Sequence, residues 1–415
     1  VPTVSVDIRR KLSALAVVTA MAATVFTAAA PSATAAPSAA DAPSPGNPAG
    51  DPFYAQPSPF PDVAPGTVLD SRPVTIRALA LPVPVRAWQV KYRSTDTDGA
   101  AIADVATIMQ PVNPPAGGAR KLVSYQTAQD GLTTDCAPSS VLTTGTAPPA
   151  EELALMLPLV AAGYTVVTAD YEGPDSEWAA AANTAHGVLD GIRAAQSFPP
   201  AGLAGPSTPT GLIGYSGGAL ASEWANELQP QYAPELRFAG VAAGGVPADL
   251  DYIARHIDGG PFAGIYVGAA VGLARAYPEI DTDALLNARG KQAFAEVGKQ
   301  CIAQFTVGQA FRRMRDYTTV PQLLDVPAVK RVIAENTMGR FKPGSPVYVY
   351  QGVFDELAFS PPVDKLVRTY CAQGVSVQYH RIPIGDHVTV AVQGAPGALA
   401  YLADRLAGKP APSTC

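Results

Sequence analysis

The sequence predicts an α/β architecture, a mostly parallel central sheet flanked by helices and interrupted by a helical insertion. Three observations carry that expectation. From residue 121 to about 245, short apolar strand-like runs alternate with helix-length segments, which implies a parallel sheet with right-handed crossovers. The pentapeptide Gly214-Tyr215-Ser216-Gly217-Gly218 sits between the apolar run Leu212-Ile213 and a helix-like stretch beginning at Ala219. Between about 246 and 340 the alternation stops, and helical segments broken by Gly259-Gly260-Pro261, Pro278 and Pro327 take its place.

Taken in order, 85–93 and 101–109 are β-patterned and separated by a turn containing Asp98-Gly99, the pattern of an antiparallel hairpin. Lys121-Leu122-Val123-Ser124-Tyr125 reads as a short strand, 150–162 as an apolar-faced helix, and 164–169 as a buried strand ending at Asp170. A helix over 184–197 precedes the strand 211–213, and a further strand covers 238–242. After the insertion, Val347-Tyr348-Val349-Tyr350 resumes the sheet. A helix over about 362–372, a strand over 375–382 and a last helix over about 396–406 complete it.

The N-terminus has a different character. Arg9-Arg10-Lys11, an apolar stretch to about Ala30 and the small-residue exit Ala33-Thr34-Ala35 make residues 1–35 an export signal, alanine-rich and cleavable rather than a membrane anchor. Arg9-Arg10 is a partial twin-arginine pattern, so the export route stays open. Residues 36–65, rich in Ala, Pro, Ser and Asp, show almost no apolar periodicity and read as a linker. The main domain then covers 66–245 and 341–415, with 246–340 as a helical cap or lid insertion. No transmembrane span is expected in the mature chain.

Composition narrows the function. Hydrophobic residues make up 47% and charged residues 15%, and a net charge of −6 gives no basic footprint for nucleic acid. The four cysteines, Cys136, Cys301, Cys371 and Cys415, include no C-x-x-C pair. In an exported chain an even count implies two disulfides, with three pairings open, and the spacing argues against a zinc site. No metal or cofactor is expected.

The pentapeptide is G-x-S-x-G in its strand, turn and helix context. A sharp turn there forces the serine backbone into a strained conformation and demands small residues at Gly214 and Gly218, leaving the Ser216 hydroxyl exposed over a helix N-terminus. A serine hydroxyl is a poor nucleophile until an imidazole takes its proton and a carboxylate orients that imidazole. In α/β-hydrolases these follow in the order serine, acid, histidine, on loops at strand ends. Of four histidines, His186 precedes the serine, His256 lies in the insertion and His380 lies within a strand. His387, on the turn Gly385-Asp386-His387 after the last strand, is the candidate base. Asp355, on the loop Gln351-Gly352-Val353-Phe354-Asp355-Glu356, is the candidate acid. Glu356 is its alternative, and a plain helix-capping role for Asp355 also fits. Asp386 reads as a surface or orienting carboxylate. Gly217 would supply one oxyanion N–H, and a second belongs on the loop Gln126-Thr127-Ala128-Gln129-Asp130-Gly131.

Together Ser124-Tyr125-Gln126-Thr127-Ala128-Gln129-Asp130, Asp170-Tyr171-Glu172-Gly173-Pro174, Gly214-Tyr215-Ser216-Gly217-Gly218, the Asp355 loop and Gly385-Asp386-His387 resemble the secretory lipase family over about residues 66–415. The resemblance implies an α/β-hydrolase with a helical cap, the triad Ser216, Asp355 and His387, and an oxyanion hole at Asp130 and Gly217. It also implies the disulfides Cys136–Cys301 and Cys371–Cys415. The expected activity is that of a secreted triacylglycerol lipase working through an acyl-enzyme, in transient contact with a lipid interface. A carboxylesterase or acyltransferase on shorter or wall-associated esters, and a non-catalytic binding protein on the same scaffold, are the rivals. Within the insertion, Gly264, Gly268 and Gly272 recur every fourth position in a nearly uncharged helical stretch. They mark either a tightly packed cap helix or a groove along one helical face for an acyl chain.

Overall fold

The computed structural model describes residues 50–113, 120–145 and 150–415. The export signal expected over 1–35 lies outside the described residues. Eleven strands are present among those described: β1 (Val68–Val74), the short pair β2 (Arg77–Ala78) and β3 (Leu81–Pro82), β4 (Val85–Thr95), β5 (Ala101–Pro111), β6 (Leu122–Gln126), β7 (Thr165–Ala169), β8 (Thr210–Tyr215), β9 (Phe238–Gly244), β10 (Val347–Gly352) and β11 (Val377–Ile382). Nine of them form one sheet in the order β1-β4-β5-β7-β6-β8-β9-β10-β11. Pairing is antiparallel from β1 through β7 and parallel from there to β11. The hairpin and the parallel sheet read from the sequence are both present.

The helices outside the insertion are α1 (Pro138–Thr144), α2 (Ala150–Ala161), α3 (Ala181–Ser197) and α4 (Gly217–Tyr232) before it, with α11 (Ser360–Ala372) and α12 (His387–Leu406) after it. Inside it lie α5 (Leu250–Ile257), α6 (Ala263–Ala276), α7 (Thr282–Leu285), α8 (Ala288–Val297), α9 (Ile302–Gly308) and α10 (Pro327–Glu335). Successive strand residues feed opposite faces of the sheet. Val167, Leu212 and Val241 pack with Val188 and Ile192 of α3 and Ala221 of α4, while Val166, Ile213 and Ala242 pack with Met156 of α2 and Leu402 of α12. Both faces of the central strands are therefore dry, which is why these strands read as continuous apolar runs rather than as alternation.

The insertion has its own core, in which Ile257, Tyr266, Val267, Val271, Val297 and Phe305 meet Leu132 and Trp178 from loops of the sheet. It is also tied covalently. Cys136 bonds Cys301 at the start of α9; a second disulfide, outside the insertion, joins Cys371 at the end of α11 to Cys415. Both are the pairings that the family resemblance implies.

Three expectations change in detail. The linker expected over 36–65 does not extend through its C-terminal part: Phe53 is buried, Asp51 pairs with Arg72 at 2.6 Å, and Gln56 bonds the backbone of Ala103 in both directions at 2.8 Å. Composition alone concealed this because every one of those partners is distant in sequence. The last helix begins at His387 rather than near Pro396, which sits inside it. The glycine row Gly264, Gly268 and Gly272 is not an open groove. A β-carbon at Gly264 would overlap the Phe305 carbonyl, one at Gly268 would lie 2.7 Å from the Trp178 ring, and one at Gly272 would overlap Trp178 backbone. The small residues let α6 approach α9 and the Trp178 loop at backbone distance, and those elements fill the space an acyl chain would need.

Candidate active site

The turn from β8 into α4 holds Ser216 at φ 53°, ψ −120°. Such a backbone costs on the order of 1–3 kcal/mol and persists only where its surroundings enforce it. They do so here: the Ser216 N–H donates to the Gly244 carbonyl at 2.9 Å, and the Ser216 carbonyl accepts the first helical N–H, that of Leu220, at 2.9 Å. A β-carbon at Gly214 would overlap the Gly218 carbonyl, and one at Gly218 the Gln126 carbonyl. This turn is thus closed to anything larger than glycine at both positions.

β10 and β11 run side by side, and the Val353 N–H donates to the Ile382 carbonyl at 2.9 Å, so the loops that leave these strands emerge together. The first carries Asp355, which is 4% exposed. Its Oδ1 accepts the N–H groups of Leu357 at 3.0 Å and Ala358 at 2.8 Å, and its Oδ2 accepts the Gln351 side-chain N–H at 3.1 Å. The second loop ends at Asp386, whose Oδ1 accepts the Thr389 N–H at 2.8 Å while the Thr389 hydroxyl accepts the Asp386 N–H at 2.9 Å. This reciprocal cap starts α12 and puts His387 on its first turn. Asp386 is therefore an exposed helix cap, and its carboxyl is held below the usual range first by the Thr389 N–H.

His387 bridges the two sides. Its Nδ1 lies 2.9 Å from each carboxylate oxygen of Asp355, and its Nε2 lies 2.8 Å from the Ser216 Oγ. Glu356, the alternative acid, instead accepts the backbone N–H of His387 at 3.0 Å. The Tyr215 hydroxyl donates to the His387 carbonyl at 2.5 Å, and the two rings are 5.1 Å apart. The Glu356 and Tyr215 hydrogen bonds anchor the main chain of the histidine and leave its ring nitrogens to the serine and the aspartate.

Asp130 lies on the loop after β6 with φ 40° and is buried. It reaches the serine turn, since a β-carbon on Gly217 would overlap its carboxylate. Burial pushes the Asp130 carboxyl up to about 6, against the opposing pull of the Trp178 N–H and of His387. The Trp178 Nε1–H donates to Asp130 Oδ1 at 2.9 Å. Trp178 itself is wedged between Phe305, at 5.4 Å between ring centroids, and the missing side chains of Gly268 and Gly272. Among the described residues no group of three or more His, Cys, Asp or Glu side chains is placed to hold a metal ion.

The geometry brings Ser216, His387 and Asp355 into one hydrogen-bonded chain with Asp130 and Gly217 at its serine end. Gly268 and Gly272 pack against Trp178, and Gly264 packs against the Phe305 backbone, rather than lining it. Sequence reasoning missed Gln351, Trp178 and the anchoring roles of Tyr215 and Glu356. Gln351, Tyr215 and Glu356 lie within motifs already quoted, but nothing in their spacing tells a side chain that positions another from one that merely neighbours it.

An arrangement of this kind can activate a serine for attack on an acyl carbon, and comparison with known proteins places it in a family. At 35% identity over 372 residues, covering 88% of this chain and 83% of the other, it is similar to a probable inactive lipase of Mycobacterium tuberculosis. It is 34% identical to Lipase 5 of Candida albicans over 389 residues, 89% of this chain and 83% of the other. The structure superposes on that of Candida antarctica lipase A in its closed state with a TM-score of 0.82 and 29% identity, over 89% of this chain and 90% of that one. Residues 138–414 match the secretory lipase family model, and this chain belongs to the secretory lipase family.

Proposed function

We propose that this chain is an exported triacylglycerol lipase in which Ser216 is the nucleophile, His387 the general base and acid, and Asp355 the orienting carboxylate. The observation that carries the reading is the unbroken chain Ser216 Oγ to His387 Nε2 at 2.8 Å and His387 Nδ1 to Asp355 at 2.9 Å. With Asp355 accepting at Nδ1, the imidazole presents a bare Nε2 lone pair to the serine hydroxyl, takes its proton as Oγ attacks the ester carbonyl, and returns it to the departing alcohol. The resulting acyl-enzyme is released by the same steps with water in place of the serine. The Gly217 N–H, at the first position of α4, has no intrahelical partner and is suited to hold the oxyanion, and the family resemblance assigns the second donor to Asp130. In this reading residues 66–245 and 341–415 are the catalytic body and 246–340 the cap.

A lipid rather than a dissolved ester is favoured by the rim of the two catalytic loops. Phe354, next to the acid, is 72% exposed, and Ile384 and Val388, flanking the histidine, are 78% and 66% exposed. Large apolar side chains left in water beside a reactive centre suit a substrate delivered from a lipid surface.

A fluorophosphonate probe tests the chemistry: it should label the parent at Ser216 and leave Ser216→Ala unlabelled. Failure to label the folded parent would favour a non-catalytic role, the kind of protein the mycobacterial relative is named as. A chain-length series of soluble esters followed by emulsified triolein tests the substrate class, and activity confined to dissolved short-chain esters would sink the lipase reading in favour of an esterase.

A further inference from the structure

The stretch from α9 to residue 316 ends in a tip that is both apolar and cationic. Val307 is 78% and Phe311 70% exposed. Phe311 has φ 62°, in the left-handed region that a bulky residue rarely adopts. It is pinned there from both sides: its N–H donates to the Gly260 carbonyl at 2.8 Å, and the Gly259 N–H donates to the Arg312 carbonyl at 3.0 Å. A strained backbone that holds an aromatic ring in water lowers stability and points to a use for that ring.

Three exposed arginines, Arg312, Arg313 and Arg315, follow at once. None of them enters an ion pair among the described residues. The Arg313 stem lies over Gly259, and the neighbouring Asp258 carboxylate accepts the Met314 N–H at 2.8 Å. Within 302–316 three arginines face one acid, Asp316, so the segment is positive on a chain whose net charge is −6. The local charge opposes that of the molecule, and it sits beside the two exposed apolar side chains.

We propose that this tip is a docking surface for an anionic phospholipid membrane, with Phe311 and Val307 entering the headgroup boundary and the arginines meeting lipid phosphates. The pattern of apolar side chains beside unpaired cations is that of interfacial anchors. The proposal is independent of the triad, so it stands or falls separately from the catalytic reading.

Flotation of the full chain with vesicles of phosphatidylcholine alone, or mixed with phosphatidylglycerol, tests it. Each arginine near an anionic surface contributes ~1 kcal/mol, a factor of about five, so Arg312→Gln with Arg313→Gln should lower partitioning onto the mixed vesicles roughly 30-fold at low salt. High salt should erase most of the difference. Phe311→Asn, which accepts the left-handed backbone, should lower partitioning roughly tenfold, the value of half burying an aromatic ring. Hydrolysis of a dissolved short-chain ester should stay unchanged in both, and if Phe311→Asn does not fold the arginine pair decides. The proposal is overturned if the double variant partitions like the parent, or if it loses as much on pure phosphatidylcholine. Preferential retention of the parent by heparin over vesicles would assign the arginines to a soluble polyanion and overturn it equally.

Discussion

Replacing Asp355 by Asn separates orientation from mere proximity in the proposed triad. Oδ1 of Asp355 accepts two backbone N–H groups, from Leu357 and Ala358, while Oδ2 faces the Gln351 amide. An asparagine will keep its carbonyl on the two backbone donors, which turns its NH2 toward Gln351 and toward His387 Nδ1. Donation from that NH2 to Nδ1 forces the proton onto Nε2, the nitrogen 2.8 Å from the Ser216 Oγ. The imidazole then cannot accept the serine proton, and turnover should fall by about 10⁴, equivalent to ~5.5 kcal/mol of transition-state stabilisation. Two donors facing each other near Gln351 should cost a further ~1–3 kcal/mol of stability. Turnover on a soluble ester, the rate of fluorophosphonate labelling and the melting temperature read these effects separately. Glu356→Gln is the control: Glu356 accepts only the His387 backbone N–H, an amide oxygen can do the same, and the loss should stay under about tenfold. A Glu356→Gln enzyme as damaged as Asp355→Asn, or an Asp355→Asn enzyme within tenfold of the parent, would refute this assignment of the acid.

The glycine row should behave as packing: Gly264→Ala drives a methyl into the Phe305 carbonyl and should lower stability by roughly 1–3 kcal/mol without changing the ratio of long- to short-chain ester hydrolysis. A shifted ratio at unchanged melting temperature would reinstate a groove. Glu223, fully buried on α4 and pushed up to about 8 chiefly by burial and then by Glu227, should make stability depend on pH. Because its folded pKa is raised, its contribution is whole below about pH 4.5 and is lost as pH rises toward 8. The melting temperature of Glu223→Gln should accordingly gain on the parent across that window, and parallel curves would count against the burial argument. Trp178→Phe removes the donor to Asp130 Oδ1, so the Asp130 titration should move up from about 6, with turnover falling more than KM changes. An unchanged pH profile would mean that the tryptophan serves the cap core alone.

By itself the sequence determined what local chemistry dictates. The serine turn is legible because only glycine fits beside the Gly218 and Gln126 carbonyls, and that demand appears as letters within five residues. The two-faced strands are legible because burial on both sides requires apolar runs such as Thr165–Ala169. His387 is legible because chain order and strand ends leave it one place to be. Neighbours that differ only in where they point were not legible. Asp355 and Glu356 both reach His387, one through the imidazole and one through the backbone, and the turn between β10 and α11 alone decides which does which. The row Gly264, Gly268 and Gly272 announced a face without side chains but not what lies against it; Phe305 and Trp178, from elsewhere in the chain, filled it. Phe53 and Tyr54 lay in a segment of linker composition, yet Arg72 sits 4.3 Å over the Phe53 ring and Ser139 bonds the Tyr54 hydroxyl. Local sequence sets which conformations and surfaces a segment offers, and only the tertiary structure, by bringing distant partners into contact, decides which of those surfaces are covered and which remain to meet a substrate.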